Sequence, residues 1–230
     1  MTAVTSFLVF RNVFLIFSGD EMINQPRSVA DVYAEGQRYF MGEGKLSNAL
    51  MRLVADLKEH QIDYQVIGAI ALMAHGYPRF TEDINIILTP DDLEKFHREL
   101  IGLGYVPAFP GARKRLRSTR DGTPIEVIAS GEFPGDGKPK AVAFPTPAED
   151  SVEIDGVRFP TLEKLIELKL ASGMTASDRL KDLADVQELI KIRGLSSEFA
   201  EKLNPYVRAK YLELFAAVGR GRNNDIEEQS

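Results

Sequence analysis

The sequence predicts a chain of the α/β (α+β) class with a helical C-terminal part. Two short strand patterns lie in its first half: residues 64–67 are largely β-branched or aromatic, and residues 83–88 alternate in polarity. Apolar residues recur at spacings of three and four before the first strand and again after residue 161, which indicates helices. Strands mixed with helices, followed by helices alone, are typical of this class.

The composition is that of an ordinary globular chain, since 44% of its 230 residues are hydrophobic and 27% are charged. Without cysteine there is no disulfide, thiolate metal site or cysteine nucleophile, and three histidines are too few to favour a zinc centre. The net charge of -6 argues against a surface that binds nucleic acid everywhere, but a local basic patch stays possible.

The N-terminal stretch SFLVFRNVFLIF (residues 6–17) is apolar, yet Arg11 interrupts it. It has about half of the roughly 20 residues that a membrane-spanning helix needs, and it lacks the flanks of a secretory signal. We therefore expect no membrane partner and a cytoplasmic protein. Two interpretations stay open: an extension upstream of a natural start at Met22, or an added strand.

Composition and pattern divide the chain into four parts. These are an N-terminal extension and helix (1–45), a core (46–160), a C-terminal helical part (161–218) and a disordered tail (219–230). Residues 31–61 are expected to be helical, with Gly42 and Gly44 dividing them into two pieces. One apolar stripe lies on the second piece, formed by Leu46, Leu50, Leu53 and Leu57.

The stretch from Tyr64 to Leu88 organises the core. A buried strand (64–67) meets a small-residue turn at Gly68-Ala69, and a helix follows that must end before Pro78. A second strand covers residues 83–88. Because successive strand side chains point to opposite faces, Asp83 and Asn85 share one face.

Further elements follow this pair of strands. Thr89 and Pro90 begin a helix that is expected to end near Gly102 or Gly104, and His97 on it is expected to be a packed or surface residue. Glu126 is the one acid in an apolar strand (124–128), where a buried carboxylate would need a partner; the alternative is an ordinary outward-facing glutamate. Residues 153–157 predict a hairpin with an Asp-Gly turn.

Two segments between these elements carry charge or glycine. The glycine-rich segment 131–140 lacks the spacing of a Walker A loop, so an active-site rim and a plain surface loop both stay open. The segment 112–120 is basic and would attract phosphates or RNA; the alternative is a solvated hairpin. Its five cations are Arg113, Lys114, Arg115, Arg117 and Arg120.

Helical patterns fill the C-terminal part. Thr161 is a good helix start, and Lys169 stands among the leucines of the helix that follows. A second helix resumes near residue 176, and Leu180 is expected on its apolar side. Two shorter helices, separated near Asn204-Pro205, complete the pattern.

The stretch from residue 64 to 88 resembles the core of the nucleotidyltransferase superfamily, which has the DNA-polymerase-beta-like fold. That family combines a Gly-Gly or Gly-Ser turn with an Asp-x-Asp strand; here the turn is Gly68-Ala69 and the strand carries Asp83-Ile84-Asn85. The resemblance implies a mixed sheet flanked by helices. It also implies a nucleoside triphosphate near Gly68, Ala69, Arg79 and Thr81, and Mg2+ (or Mn2+) at Asp83, Asn85 and Glu126.

Residues 165–190 are similar to the C-terminal motif of bacterial nucleotidyltransferase-like proteins, including the abortive-infection type IV toxin group. The resemblance implies that Lys169 contacts the triphosphate, that Asp182 orients this lysine or Arg179, and that both act in catalysis beside Asp83. The alternative is a structural pairing of Asp182 with Arg179 or Lys181.

The implied function is transfer of a nucleotide to a hydroxyl acceptor, with RNA or a protein as candidate acceptors. The family has an acid where this chain has Asn85. This favours a second hypothesis, a catalytically weakened nucleotidyltransferase-fold module that binds its ligand without turnover. A third hypothesis is that the protein is a toxin with an antitoxin partner.

Overall fold

The computed structural model describes residues 44–227, with side chains to residue 220. The N-terminal part of the predicted helix 31–61, residues 31–43, and the segment 6–17 lie outside these residues. The helices are α1 Lys45–Glu59, α2 Gly68–Ala74, α3 Pro90–Glu99, α4 Leu162–Thr175, α5 Leu180–Arg193 and α6 Pro205–Glu227. The strands are β1 Gln65–Ile67, β2 Ile84–Leu88, β3 Tyr105–Pro107, β4 Arg115–Ser118, β5 Pro124–Ala129, β6 Ser151–Ile154 and β7 Val157–Pro160. Short 3-10 helices cover Ser177–Arg179 and Ser197–Lys202.

Five strands form one mixed sheet in the order β1-β2-β5-β4-β3. β2 and β5 run parallel, while the other neighbouring pairs are antiparallel. A parallel pair needs a long connection, and α3, β3 and β4 form the connection here. The predicted mixed sheet flanked by helices, with a helical C-terminal part, is confirmed.

The two faces of this sheet differ in character near its centre. Ile84, Ile86, Ile125, Val127 and Leu116 share one face and are almost completely buried. The residues between them along the strands face the other side, where Asn85 is half-buried and Glu126 and Arg115 are exposed. One face of the sheet therefore holds the core, and part of the other meets solvent.

The hairpin of β6 and β7 packs beside β1. Its turn places Asp155 at φ 50° and Gly156 at φ 76°, the left-handed values that a two-residue turn of this kind requires. The predicted Asp-Gly hairpin is confirmed. His97 is half-buried, and its Nε2 lies 2.7 Å from the Arg113 carbonyl oxygen, which agrees with the expectation of an ordinary packed or surface histidine.

The C-terminal helices pack on one another and continue the core. Thr161 caps α4, because its side chain accepts a hydrogen bond from the Lys164 amide at 3.3 Å. On α5 the prediction for Leu180 is wrong: this residue is 66% exposed, and Asp185 is buried instead. α6 runs on to Glu227, past the predicted boundary at 218. Among the described residues, every helix is too short or too polar to cross a bilayer.

Candidate functional site

The turn between β1 and α2 approaches β2 very closely. Gly68 has φ +73°, and a Cβ placed on it would lie 3.1 Å from Asn85 Nδ2. The pairing of Ile67 with Asn85 in the sheet brings the turn to this position. Only glycine combines a positive φ with so little space, so the turn residue is determined by its distance from Asn85. Ala69 follows at the buried start of α2.

Asp83 and Asn85 lie together as the alternation of the strand predicts. The Asn85 Nδ2 donates a hydrogen bond to Asp83 Oδ2 at 3.1 Å, and the Thr81 hydroxyl donates to Asp83 Oδ1. Both oxygens of the Asp83 carboxylate are therefore oriented by neighbours, while Asn85 keeps its amide oxygen for another contact.

Glu126 is the partner of Asn85 in the parallel pairing of β2 and β5. Partners in register present their side chains to the same face, and neighbouring strands lie about 4.8 Å apart. The sheet thus brings Glu126 beside Asn85. The Glu126 side chain is exposed, so it does not need the charged partner that a buried carboxylate would require.

The oxygens in this group suit a hard divalent cation. Two carboxylates and one amide carbonyl are the ligand types that Mg2+ and Mn2+ accept. Between residues 44 and 220, no group of three acids, histidines or cysteines could hold a metal. Asp83, Asn85 and Glu126 offer ligands of the right chemistry. Because one of them is an amide, the group has less negative charge than three carboxylates.

Lys169 takes part in a buried ionic network. Its Nζ donates hydrogen bonds to Asp182 Oδ1 at 2.8 Å and to Asp185 Oδ2 at 2.7 Å. Arg79 Nη1 donates to the same Asp185 oxygen at 3.1 Å, and the Ser172 hydroxyl donates to Asp182 Oδ2 at 2.7 Å. The network joins α4 and α5 to the segment that leads into β2.

The charges in this network stabilise one another. Burial alone would raise the pKa of Asp182, but the Lys169 ammonium and the hydrogen bonds from Lys169 and Ser172 lower it below its usual value. Asp182 is paired with Lys169. The Lys169 ammonium donates to two carboxylates, which balance its charge and use two of its three donors.

Sequence reasoning missed Asp185, which is only 3% exposed. A signal was present, because Asp182 and Asp185 are three residues apart on one helix and therefore share a face. An acid on the apolar side of a helix is costly unless a cation is close. Lys169, on the neighbouring helix, is that cation.

Two cations of the basic segment are paired with acids. Arg113 is paired with Glu94, and Lys114 with Glu132. Arg115, Arg117 and Arg120 are exposed and have no ion-pair partner among the described residues. The charges of Arg113 and Lys114 are balanced by nearby acids, and whether the five cations contact phosphates or RNA stays a prediction.

The glycine-rich segment 131–140 is anchored to the end of α4. Lys140 Nζ donates to the Pro134 carbonyl and to Asp136, both at 2.5 Å, and to the Thr175 hydroxyl at 3.1 Å. Gly135 has φ +79°, and a Cβ there would lie 2.8 Å from the Ser172 carbonyl oxygen. The loop packs on the same helix end that supplies Ser172 to Asp182.

No model of a known family and no curated protein matches the sequence. The structure of ANT(2'')-Ia in complex with adenylyl-2''-tobramycin has a TM-score of 0.45 and 15% identity, with 76% of this chain and 97% of that chain covered. A solution structure of ANT(2'')-Ia, an antibiotic-resistance factor, gives 0.45 and 13%, covering 76% and 95%. A proposed nucleotidyltransferase from H. pylori gives 0.41 and 17%, covering 80% and 96%.

Proposed function

We propose that this protein is a metal-dependent nucleotidyltransferase that moves a nucleotide from a nucleoside triphosphate to a hydroxyl acceptor. The observation that carries the proposal is the close approach of the Gly68 turn to Asn85, whose neighbours Asp83 and Glu126 lie on the same face of the sheet. A bare backbone turn beside oxygen ligands suits a phosphate chain that shares a cation with the protein.

Each residue of the group has a role in this proposal. Asp83, Asn85 and Glu126 would hold Mg2+ or Mn2+, and Thr81 orients the Asp83 carboxylate. The turn at Gly68 and Ala69 would receive the triphosphate. A bound metal neutralises phosphate charge and aligns the reacting oxygens.

The reaction is a displacement at the α-phosphorus. The acceptor oxygen bonds to this phosphorus, the bond from phosphorus to the bridging oxygen breaks, and pyrophosphate leaves with the electron pair. The acceptor proton passes to water. Catalysis of this displacement requires mainly that the reacting groups are positioned and that the phosphate charge is neutralised. A site with few protein side chains is therefore sufficient.

The network around Lys169 is connected to the segment that precedes the candidate metal ligands. Arg79 lies four residues before Asp83 and is held by Asp185, which is itself held by Lys169. Fixing Arg79 restrains the segment that carries Thr81 and Asp83. We propose that Lys169 and Asp182 contribute to catalysis chiefly through this restraint, while Arg79, whose side chain is 23% exposed, faces the phosphates.

Asn85 favours a second candidate function. An amide has no formal charge, so it holds a cation less strongly than a carboxylate. The chain could therefore bind nucleotide without transferring it. A role as a cytoplasmic toxin with an antitoxin partner stays a further proposal, and growth arrest on expression, relieved by a neighbouring gene, would support it.

Transfer is tested by incubating the protein with nucleoside triphosphates labelled at the α-phosphate, Mg2+ or Mn2+, and cell extract. We expect a labelled macromolecule with the wild type and none with Asp83→Ala. As a matched control, Asp91→Ala removes an exposed acid outside the site and should retain labelling. Metal-dependent nucleotide binding without any labelled product would replace transfer with the binding function.

A further inference from the structure

Residues of the candidate site lie in one row across the sheet. In register order, the row runs from Ile67 on β1 through Asn85 on β2 and Glu126 on β5 to Arg115 on β4. Gly68, whose turn is proposed to receive the triphosphate, directly follows Ile67 at one end of this row. Two of the proposed metal ligands are therefore in the middle of the row, and an arginine is at the other end.

An in-line displacement places its acceptor on the side of the metal ligands that faces away from the turn. The attacking oxygen and the leaving oxygen lie on opposite sides of the reacting phosphorus. With pyrophosphate at the Gly68 turn and the α-phosphorus beside Asn85 and Glu126, the acceptor would lie over β5 and β4. The side chains exposed there are therefore the ones that can select the acceptor.

This part of the sheet face is positively charged. Arg115 is the antiparallel partner of Glu126, and Arg117 is two residues further along β4, so both arginines are exposed on the face that carries Glu126. The in-register neighbours of Arg117, Pro124 and Val106, are uncharged. Among the described residues, neither arginine has an ion-pair partner. An anion over β4 would therefore meet two guanidinium groups whose charge no protein acid balances.

The arginines lie within reach of a molecule whose hydroxyl is at the metal. Neighbouring strands are about 4.8 Å apart, so Arg115 is one strand from Glu126 and roughly 9.6 Å from Asn85 along the row. An arginine side chain bridges part of this distance. An anionic group a few bonds away from the reacting hydroxyl would thus meet the guanidinium groups.

The number of unpaired cations favours a small acceptor over a nucleic-acid strand. Two guanidinium groups suit the oxygens of one phosphate or carboxylate, with which arginine forms paired hydrogen bonds. A strand would present a phosphate at every nucleotide, but Arg113 and Lys114 are already paired with Glu94 and Glu132. Arg120 lies beyond the end of β4, where it lines a separate small cavity. The charge of this surface is therefore suited to a single anionic group.

We infer that the hydroxyl acceptor is a small molecule with a phosphate or carboxylate group, and that Arg115 and Arg117 bind this group. The inference rests on the proposed function, because the in-line geometry locates the acceptor. The step is the displacement given above: the acceptor oxygen bonds to the α-phosphorus, pyrophosphate leaves with the electron pair, and the acceptor proton passes to water. The anionic group forms no covalent bond.

Acceptor binding is measured first without nucleotide, by calorimetry with ribose 5-phosphate, gluconate, ribose and glucosamine. All four carry hydroxyl groups, and their charged groups are a phosphate, a carboxylate, none and an ammonium. We expect an anionic compound to bind, and Arg115→Gln combined with Arg117→Gln to weaken its binding by about tenfold or more, because hydrogen bonds between charged groups are lost. The tighter of the two anions identifies the group. Equal binding of ribose or glucosamine would overturn the inference.

The matched control is Arg113→Gln combined with Lys114→Gln. It removes the same charge from the same segment, but it takes away cations that are already paired. An equal loss of affinity in both double variants would contradict a specific role for Arg115 and Arg117, since binding would then depend on net charge alone. Unfolding curves of all variants confirm that these substitutions leave the fold intact.

A second measurement separates the two proposals. The same four compounds are offered as acceptors with an α-labelled triphosphate and Mg2+ or Mn2+. Labelling of an anionic compound, with its KM raised in the Arg115/Arg117 variant and the KM of the triphosphate unchanged, supports both proposals. Arginine-dependent binding of the anions without labelling of any acceptor supports the surface and contradicts transfer. Labelling of ribose or glucosamine as fast as the anions, or of nucleic acid in preference to them, supports transfer and overturns the small anionic acceptor.

Discussion

Lys169 on α4 and Arg79 in the segment before β2 are joined through one carboxylate oxygen, because both donate hydrogen bonds to Asp185 Oδ2, at 2.7 and 3.1 Å. The two residues are 90 positions apart in the sequence. Their shared partner links the helical part of the chain to the strand that carries the candidate metal ligands. The site is therefore held by a buried charge network.

Asp185→Ala should lower the free energy of unfolding by about 3–5 kcal/mol, because it leaves the Lys169 ammonium with one partner fewer in a buried position. Urea unfolding measures this loss. Glu188→Ala on the same helix is the control: its exposed pair with Lys191 should contribute at most about 1 kcal/mol. Equal effects of the two substitutions would show that Asp185 does not hold the network.

The pH dependence of stability should reveal Asp182. Its folded-state pKa is lowered below the ordinary value of 3.8, so its contribution is complete above that value and is lost as pH falls through the folded pKa. The unfolding free energies of wild type and Asp182→Asn should therefore differ at neutral pH and converge in acid. A difference that stays constant from neutral pH into the acid range contradicts a lowered pKa.

Gly68→Ala should cost more than a glycine substitution elsewhere. Both Gly68 and Gly111 have positive φ, at +73° and +83°, but a Cβ at Gly111 has nothing within 4 Å. Each Ala variant bears the backbone strain of roughly 1 kcal/mol or more, and only the one at Gly68 also displaces Asn85. Calorimetry should show weaker metal-dependent nucleotide binding for Gly68→Ala alone. Equal binding by both variants would place the nucleotide away from this turn.

Asn85→Asp should make the thermal stability depend on metal. The Asn85 amide donates a hydrogen bond to Asp83 at 3.1 Å, and the substitution replaces this amide with a carboxylate. Without a bound cation, two negative charges would then lie side by side. We expect a lower Tm than wild type in chelator and a larger rise on adding Mg2+ or Mn2+, together with tighter metal binding. Asn48→Asp, on α1, is the control for added charge. A metal response equal to that of the control would contradict the metal site.

Several features of the site follow from local sequence. The alternation of residues 83–88 predicts that Asp83 and Asn85 share a face, because strand side chains have a period of two residues. Thr161 before an apolar run predicts the start of α4, and Asp155-Gly156 predicts the hairpin turn. These outcomes depend on φ and ψ preferences and on neighbours within a few residues, which the sequence contains directly.

Other features were decided by tertiary structure alone. The register of β2 and β5 places Glu126 beside Asn85, and the packing of α4 on α5 brings Lys169 to Asp185. Acids distant in sequence, Glu94 and Glu132, pair with Arg113 and Lys114. Electrostatic partners are set by distance in space and by exclusion of water, and the packing of the whole chain determines both.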